Sequence, residues 1–163
     1  MIAVIAAAAF HECCHYIMLK FMGVSVFGIT IGVDGAVIDT GPMTSHQELV
    51  CSLAGPAGSF LLLLAARWFP MLSLCAGIQG LYNLIPVMPF DGGRALRCIL
   101  EICCPQVSDS VMKAVRIAIC CLIPAVGILG MQYGILSVLV SFVLLRKMLP
   151  RKRPCKEGLK RVQ

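Results

Sequence analysis

Charged residues are scarce in this chain. Asp, Glu, Lys and Arg make up 13% of its 163 residues, whereas hydrophobic residues make up 59%. Because charged residues make up about 25% of a typical soluble domain, this composition excludes an ordinary soluble protein. It predicts an integral membrane protein that folds as one compact domain in contact with the lipid bilayer.

Three further observations narrow the class of protein. No basic segment precedes the first apolar run, so that run is not predicted to be a cleaved signal peptide. The ten cysteines include no C-x-x-C pair and fall mostly in apolar segments, which argues against a zinc ribbon or a disulfide framework. The net charge of +6 does not indicate nucleic-acid binding, since eight of the fourteen Lys and Arg residues lie between residues 146 and 161.

The first apolar run contains the motif H-E-x-x-H. His11 and His15 are four residues apart, so on a helix both imidazoles lie on one face and can bind one metal ion. Glu12 lies beside this pair. The run containing the motif is long enough to cross a bilayer, which takes about 20 residues. A charged side chain at such depth costs at least about 2.5 kcal/mol, a cost that a bound metal ion would offset.

A second motif, N-L-I-P-V-M-P-F-D-G-G-R, covers residues 83–94. Its two prolines predict that regular helix ends here, and its two glycines are expected to give Asp91 the freedom to turn back towards the histidines. Two histidines and one carboxylate leave a fourth tetrahedral position open, which is typical of a catalytic zinc site. Alternatives remain for each motif, namely a pair of buried structural histidines and an ordinary D-G-G turn.

Taken together, these motifs resemble those of the site-2 proteases, a family of intramembrane zinc metalloproteases. The resemblance covers roughly residues 1–100 and includes an A-G-P segment at residues 54–56. It implies one Zn²⁺ ion per chain, bound by His11, His15 and Asp91. It also implies that Glu12 is the catalytic base and that Asn83 lies close to the substrate.

One position departs from the pattern of the family. The usual A-G-P-x-x-N has Ser59 where Asn is expected, which puts a polar role at this position in doubt. Substrates in the family are membrane-anchored proteins such as anti-sigma factors, pro-sigma factors or membrane-bound transcription factors. This short chain most resembles the sporulation-type (stage IV FB-like) branch, which processes a pro-sigma factor.

The order of apolar runs predicts an all-α membrane protein, a polytopic bundle of about five transmembrane helices. A β-hairpin at the membrane boundary is expected after the first helix, because residues 23–40 are rich in Val, Ile, Thr and Gly around an Asp-Gly pair. An amphipathic helix is expected at residues 94–104. The metalloprotease domain would cover residues 1–150 and a short basic tail residues 151–163. The predicted spans cover about residues 2–22, 49–69, 71–88, 111–129 and 133–149.

The distribution of Lys and Arg predicts the orientation in the membrane. The basic tail is expected in the cytoplasm, and counting five spans back from it places the opening of the active site on the cytoplasmic side of a bacterial cell membrane. The third histidine, His46, lies at the polar start of the second span, where it is expected to be a surface residue rather than a fourth ligand. Thr44 or Ser45 is expected to cap that helix.

The sequence therefore predicts a zinc-dependent intramembrane endopeptidase that cleaves a membrane-anchored protein, as in regulated intramembrane proteolysis. A regulatory membrane protein or a second copy of the chain would be a further partner. Two alternatives stay open. One is a membrane metal-binding or transport protein, in which Glu12 would have no function and for which the internal repeats typical of transporters are not evident. The other is a catalytically silent homologue that acts by binding alone.

Overall fold

The computed structural model describes residues 1–32 and 35–129. This part of the chain is mostly helical and contains one two-stranded antiparallel sheet directly after the first helix, which confirms the predicted helical class and the predicted hairpin. The predicted fifth span and the basic tail lie outside the described residues. The elements are α1 (Ile2–Phe21), β1 (Val26–Gly32), β2 (Gly35–Thr40), α2 (Ser45–Leu61), α3 (Pro70–Asn83), α4 (Asp91–Cys103) and α5 (Ser108–Leu129).

Two helical segments of the described chain are long and apolar enough to cross a membrane, Ile2–Phe21 and Ser45–Ala65. The second consists of α2 and the short 3₁₀ helix Leu62–Ala65 that follows it. The third predicted span is shorter than expected, because α3 has 14 residues and ends at Asn83, ahead of the two prolines. A bilayer crossing takes about 20 helical residues, so a bundle of about five spans stays a prediction.

The chain divides into two compact units, Met1–Cys121 and Leu122–Gln163, and the structure describes only residues 122–129 of the second. Within the first unit, the buried side chains of α1 recur every four residues. They are Ala7, His11, His15 and Leu19. Positions at this spacing lie on one helical face, and that face packs against α2 and α3.

The end of α1 carries the chain into the hairpin. Gly23 adopts a left-handed conformation with φ of 69°, which glycine tolerates and which is common just after a helix. The strands then pair from Val26↔Thr40 to Gly32↔Gly35, with an irregularity after Val26. A small apolar cluster around Leu19 joins this hairpin to the end of α1; its members are Leu19, Val24, Cys51, Met22, Val26, Ile38 and Met43.

Helix α2 begins with a capping box. Thr44 is the N-cap, and its side chain accepts a hydrogen bond from the backbone N–H of Gln47 while the Gln47 side chain accepts one from the backbone of Thr44. The buried face of α2 is made mainly of small residues, which allow neighbouring helices to approach closely. These buried residues are Cys51, Ser52, Gly55, Pro56, Gly58 and Ser59.

Residues 84–90 form an irregular segment between α3 and α4, and α4 begins at Asp91. The expectation that two glycines give Asp91 conformational freedom is wrong, because neither Gly92 nor Gly93 has a positive φ. Both glycines are needed for close packing instead. A β-carbon on Gly92 would overlap the carbonyl oxygen of Leu84, and one on Gly93 would overlap the carbonyl carbon of Val87. The irregular segment therefore lies directly against the first turn of α4 and fixes where Asp91 begins the helix.

Candidate metal centre

The two histidines of the H-E-x-x-H motif meet on the buried face of α1. Their ring centroids are 4.9 Å apart with the ring planes at 79°, and their Nε2 atoms are 3.3 Å apart. Both side chains are buried, His11 at 1% and His15 at 8% exposure. The helical spacing of the motif thus produces the shared face that it predicted.

Asp91 reaches this pair from the first turn of α4, eighty residues along the chain from His11. Its Oδ2 atom lies 3.0 Å from Nε2 of His11 and 3.2 Å from Nε2 of His15. Around a tetrahedral zinc ion with bonds of about 2.0–2.1 Å, ligand atoms are about 3.3 Å apart. The three separations of 3.0, 3.2 and 3.3 Å therefore match the edges of such a tetrahedron, with one corner left open.

The hydrogen bonds on the far side of each ring decide which nitrogens can bind a metal ion. Nδ1 of His15 donates to the backbone carbonyl of Cys51 at 2.7 Å, so in the neutral ring the proton is on Nδ1 and Nε2 carries a lone pair. Nε2 of His11 lies 3.1 Å from the amide nitrogen of Asn83 and 3.0 Å from Oδ2 of Asp91. When this nitrogen binds a cation, the ring proton is on Nδ1, which then donates to Ser59 Oγ at 2.8 Å. Two lone pairs and a carboxylate oxygen thus converge on one point, an arrangement that suits a cation.

Gly55 of α2 leaves space at the point where the three candidate ligands converge. A β-carbon at position 55 would overlap Nε2 of His15 and would lie 2.7 Å from Nε2 of His11. The small residue of the A-G-P segment is therefore required by the two imidazoles as well as by helix packing. Any side chain here would occupy the place where the three candidate ligands meet.

Glu12 follows His11 on α1 and is half-buried. It lies close enough to His11, His15 and Asp91 to interact with them electrostatically. Among the described residues, none forms a hydrogen bond or an ion pair with its carboxylate, whereas Oδ2 of Asp91 lies 3.0 and 3.2 Å from the Nε2 atoms of the two rings. The Glu12 carboxylate is therefore available to a molecule that enters the site.

Asn83, the last residue of α3, is the other residue that the sequence placed near the centre. Its amide nitrogen is 3.1 Å from Nε2 of His11, so the side chain lies beside the point where the candidate ligands converge. By contrast, His46 is exposed at the start of α2 and does not belong to the cluster of metal-binding side chains found among the described residues.

Ser59 is the residue whose polar role the sequence left in doubt. It is fully buried, at 0% exposure, and its hydroxyl is bonded to His11. A signal for it exists in the sequence, because Ser59 lies four residues after Gly55 and eight after Cys51 and so shares their helical face. A polar side chain at this spacing in an apolar helix points at the same neighbour as the small residues do.

Comparison with known proteins gives relatives with a consistent description. No protein-family model matches the chain. The zinc metalloprotease MJ0392 of Methanocaldococcus jannaschii is 32% identical over 114 residues, which are 61% of this chain and 34% of that protein. The putative zinc metalloprotease Rip3 of Mycobacterium tuberculosis is 28% identical over 121 residues, 61% of this chain and 30% of that protein. The chain thus matches about a third of the length of these curated relatives.

A solved structure, the site-2 protease from Methanocaldococcus jannaschii, has the same fold. It superimposes with a TM-score of 0.71 at 26% sequence identity. The superposition covers 99% of this chain and 81% of that one. The likeness therefore extends well beyond the two motifs at the centre.

Proposed function

We propose that this chain, which is similar to zinc metalloproteases and to a site-2 protease of known structure, is itself a site-2 protease. It would be a zinc-dependent endopeptidase that cleaves membrane-anchored proteins within or at the edge of the bilayer. The observation that carries the proposal is the convergence of His11, His15 and Asp91 near a carboxylate, that of Glu12, which forms no hydrogen bond or ion pair with another described residue. A structural metal site would be closed by a fourth protein ligand. Here three candidate ligands converge, and the half-buried Glu12 lies close enough to them to interact electrostatically.

The three ligands would hold a zinc ion through Nε2 of each histidine and the Asp91 carboxylate. When bound, zinc supplies Lewis acidity, which polarises the scissile carbonyl group and makes water a better nucleophile near neutral pH. Asp91 at the first turn of α4 also lies at the positive end of that helix, where a carboxylate is favoured. The residues of the chain supply the remaining steps.

Glu12 acts as the general base. Its carboxylate takes a proton from the attacking water and delivers it to the amine that leaves when the peptide bond breaks. A carboxylate already committed to an ion pair could not do this as readily, and Glu12 has no such partner among the described residues. Asn83 donates its amide N–H to the substrate, since it lies within 3.1 Å of His11 Nε2 and such a donor can stabilise a developing oxyanion.

The depth of the site follows from the rise of a helix. His15 and His11 precede the end of α1 at Phe21 by six and ten residues, which corresponds to about 9 and 15 Å along the axis. We place the reaction at this depth below the membrane surface on the hairpin side. An extended substrate strand would reach it by pairing with the hairpin, because each strand of a two-stranded sheet keeps one unpaired edge.

The proposal includes the orientation and the biological setting. The chain would be a multi-pass protein of a bacterial cell membrane with its site open to the cytoplasm, which the basic residues at 146–161 support. Its substrate would be a membrane-anchored regulator such as a pro-sigma or anti-sigma factor.

The test separates zinc binding from catalysis. The Glu12→Gln variant should keep its zinc and lose at least about 10²-fold in the rate of cleavage of membrane-anchored reporter proteins, the range expected for a general base. Zinc content and cleavage would be measured on purified protein reconstituted in vesicles. Glu48→Gln is the matched control, because it removes a carboxylate from α2 that lies away from the candidate ligands.

Three results would contradict the proposal. Cleavage by Glu12→Gln at the wild-type rate would exclude Glu12 as the base. Wild-type protein without zinc, even after metal addition, would remove the chemistry. Zinc flux across the vesicle membrane that depends on His11 and Asp91, without any cleavage, would establish a transporter instead.

A further inference from the structure

Helix α2 contacts the Nδ1 atoms of both candidate zinc ligands of α1, but it does so with two different groups. Nδ1 of His15 donates to the backbone carbonyl of Cys51 at 2.7 Å, and Nδ1 of His11 lies 2.8 Å from the side-chain hydroxyl of Ser59. A carbonyl oxygen can only accept a hydrogen bond, so it permits a single tautomer of His15. A hydroxyl can donate or accept, so the His11 tautomer depends on how the Ser59 hydroxyl is used.

We propose that Ser59 is a positioning residue of the metal centre. Its hydroxyl oxygen accepts a hydrogen bond from Nδ1–H of His11 and thereby keeps the Nε2 lone pair of His11 directed at the metal ion. This inference rests on the proposed zinc function. Partners of this kind fix the ring orientation and raise the basicity of a ligating histidine. Ser59 would do for His11 what the Cys51 carbonyl does for His15, although only Ser59 can be changed by substitution.

The packing around Ser59 holds its hydroxyl next to His11. The side chain is completely buried, and α3 approaches it closely at Gly80, where a β-carbon would lie 3.0 Å from that of Ser59. With α3 packed this tightly, the hydroxyl has little room to move away from His11. No buried polar side-chain atom in the described chain lacks a hydrogen-bond partner, and for Ser59 that partner is the imidazole.

A matched control exists in the same protein. Ser73 of α3 is also buried, at 1% exposure, and its hydroxyl donates to the backbone carbonyl of Leu62 at 2.7 Å. Ser73→Ala removes the same atom as Ser59→Ala from an equally buried place without touching either histidine. The difference between the two variants therefore isolates the contact with His11 from the general effect of losing a buried hydroxyl.

The first readout is the affinity of the metal-free chain for zinc, measured by competition with a chelator. Ser59→Ala should weaken zinc binding by about 10–100-fold, the usual loss when a partner behind a metal-bound histidine is removed. Ser59→Cys, of similar size but with a weaker acceptor, should fall between Ser59→Ala and the wild type. Ser73→Ala should bind zinc as the wild type does.

The second readout needs no metal. The chain has three histidines, so the ¹⁵N signals of labelled imidazoles can be assigned with single variants. In the metal-free chain the fraction of His11 rings with the proton on Nδ1 should be lower in Ser59→Ala than in the wild type, and Ser73→Ala should match the wild type. Wild-type zinc affinity and an unchanged His11 tautomer in Ser59→Ala would overturn the inference, as would an equal loss of affinity in Ser73→Ala. A wild type that binds no zinc would overturn the proposed function, whereas the tautomer measurement would still decide the role of Ser59.

Discussion

The inward and outward faces of α1 differ in the kind of side chain they carry. The inward stripe includes two buried histidines, whereas the outward face carries exposed apolar residues such as Ile5 at 64% and Phe21 at 87% exposure. Across the unit of residues 1–121, the buried polar side chains are histidines and serines, and many large apolar side chains are exposed. A soluble protein shows the reverse distribution.

The difference between the two faces follows from how helices associate in lipid. In lipid, apolar side chains gain little by packing against each other rather than against acyl chains, so helices associate through small residues and hydrogen bonds. The interior is then free to carry polar chemistry, provided that every polar group has a partner. In the metal centre each imidazole has a polar partner on α2 at its Nδ1 and lies 3.0–3.2 Å from Asp91 at its Nε2, so that a bound cation would leave no polar group without a partner.

The largest effect should come from removing the carboxylate from the interior. Asp91→Ala leaves the two imidazoles without the negative charge that completes the site, and loss of one buried charged partner costs about 3–5 kcal/mol. We therefore expect zinc affinity to fall by more than about 100-fold, as measured by metal content and chelator competition. Asp109→Ala, which removes an exposed carboxylate at the start of α5, should leave zinc binding unchanged. Retention of zinc by Asp91→Ala would show that the third ligand is a different residue.

A charge on the outward face of α1 should cost nearly as much free energy as Asp91→Ala, although it would not contact the metal centre. Ala9 is exposed near the middle of α1, and Lys at the centre of a span costs about 2.5–3.5 kcal/mol on the insertion scale. Ala9→Lys should lower the fraction of chains that insert α1 across the membrane, and Ala9→Leu should not. Equal insertion of the two variants would mean that this face of α1 does not contact lipid.

A single methyl group placed inside should damage the site without any change in charge. Gly55→Ala would put a β-carbon against Nε2 of His15, and overpacking of this kind costs about 1–3 kcal/mol. Zinc affinity and thermal stability in detergent should both decrease. Gly77→Ala serves as the control, because its β-carbon would meet only the end of the Leu63 side chain, which can move. A Gly55→Ala variant with normal zinc affinity would contradict the packing described for α1 and α2.

The smallest effect is expected at the polar edge of the unit. Arg97 and Glu101 of α4 form an ion pair of 2.7 Å at i,i+4 spacing, and the Arg97 side chain is 54% exposed. Such pairs contribute about 0.3–0.5 kcal/mol, so Arg97→Gln should lower the melting temperature only slightly, and less in high salt. A large loss of stability would indicate that this helix is more deeply buried than its exposed charges suggest.

Most of the site was readable from the sequence because its signals are local. The four-residue spacing in α1 and the Asp-Gly pair of the hairpin act within a few residues, and both predictions are confirmed by the helix and the paired strands. The interpretation of the two glycines after Asp91 was wrong, because it assigned them a torsional role when close packing against residues 84–88 explains them. The spacing of Ser59 from Gly55 places it on the inward face of α2, but its pairing with His11 could not be derived, since the two lie 48 residues apart and only the packing of α2 on α1 brings them together.

The distance along the chain between the candidate ligands has a consequence for biogenesis. Helices α1 and α4 each pack against α2, and the side chains of His11 and Asp91 join them directly across a loop of eighty residues. A metal ion bound there would act as a cross-link that closes this loop. The complete ligand set would exist only after α4 has been synthesised and has docked. The growing polypeptide would therefore insert its first helices before the metal site is complete, and metal loading would be a late step of assembly.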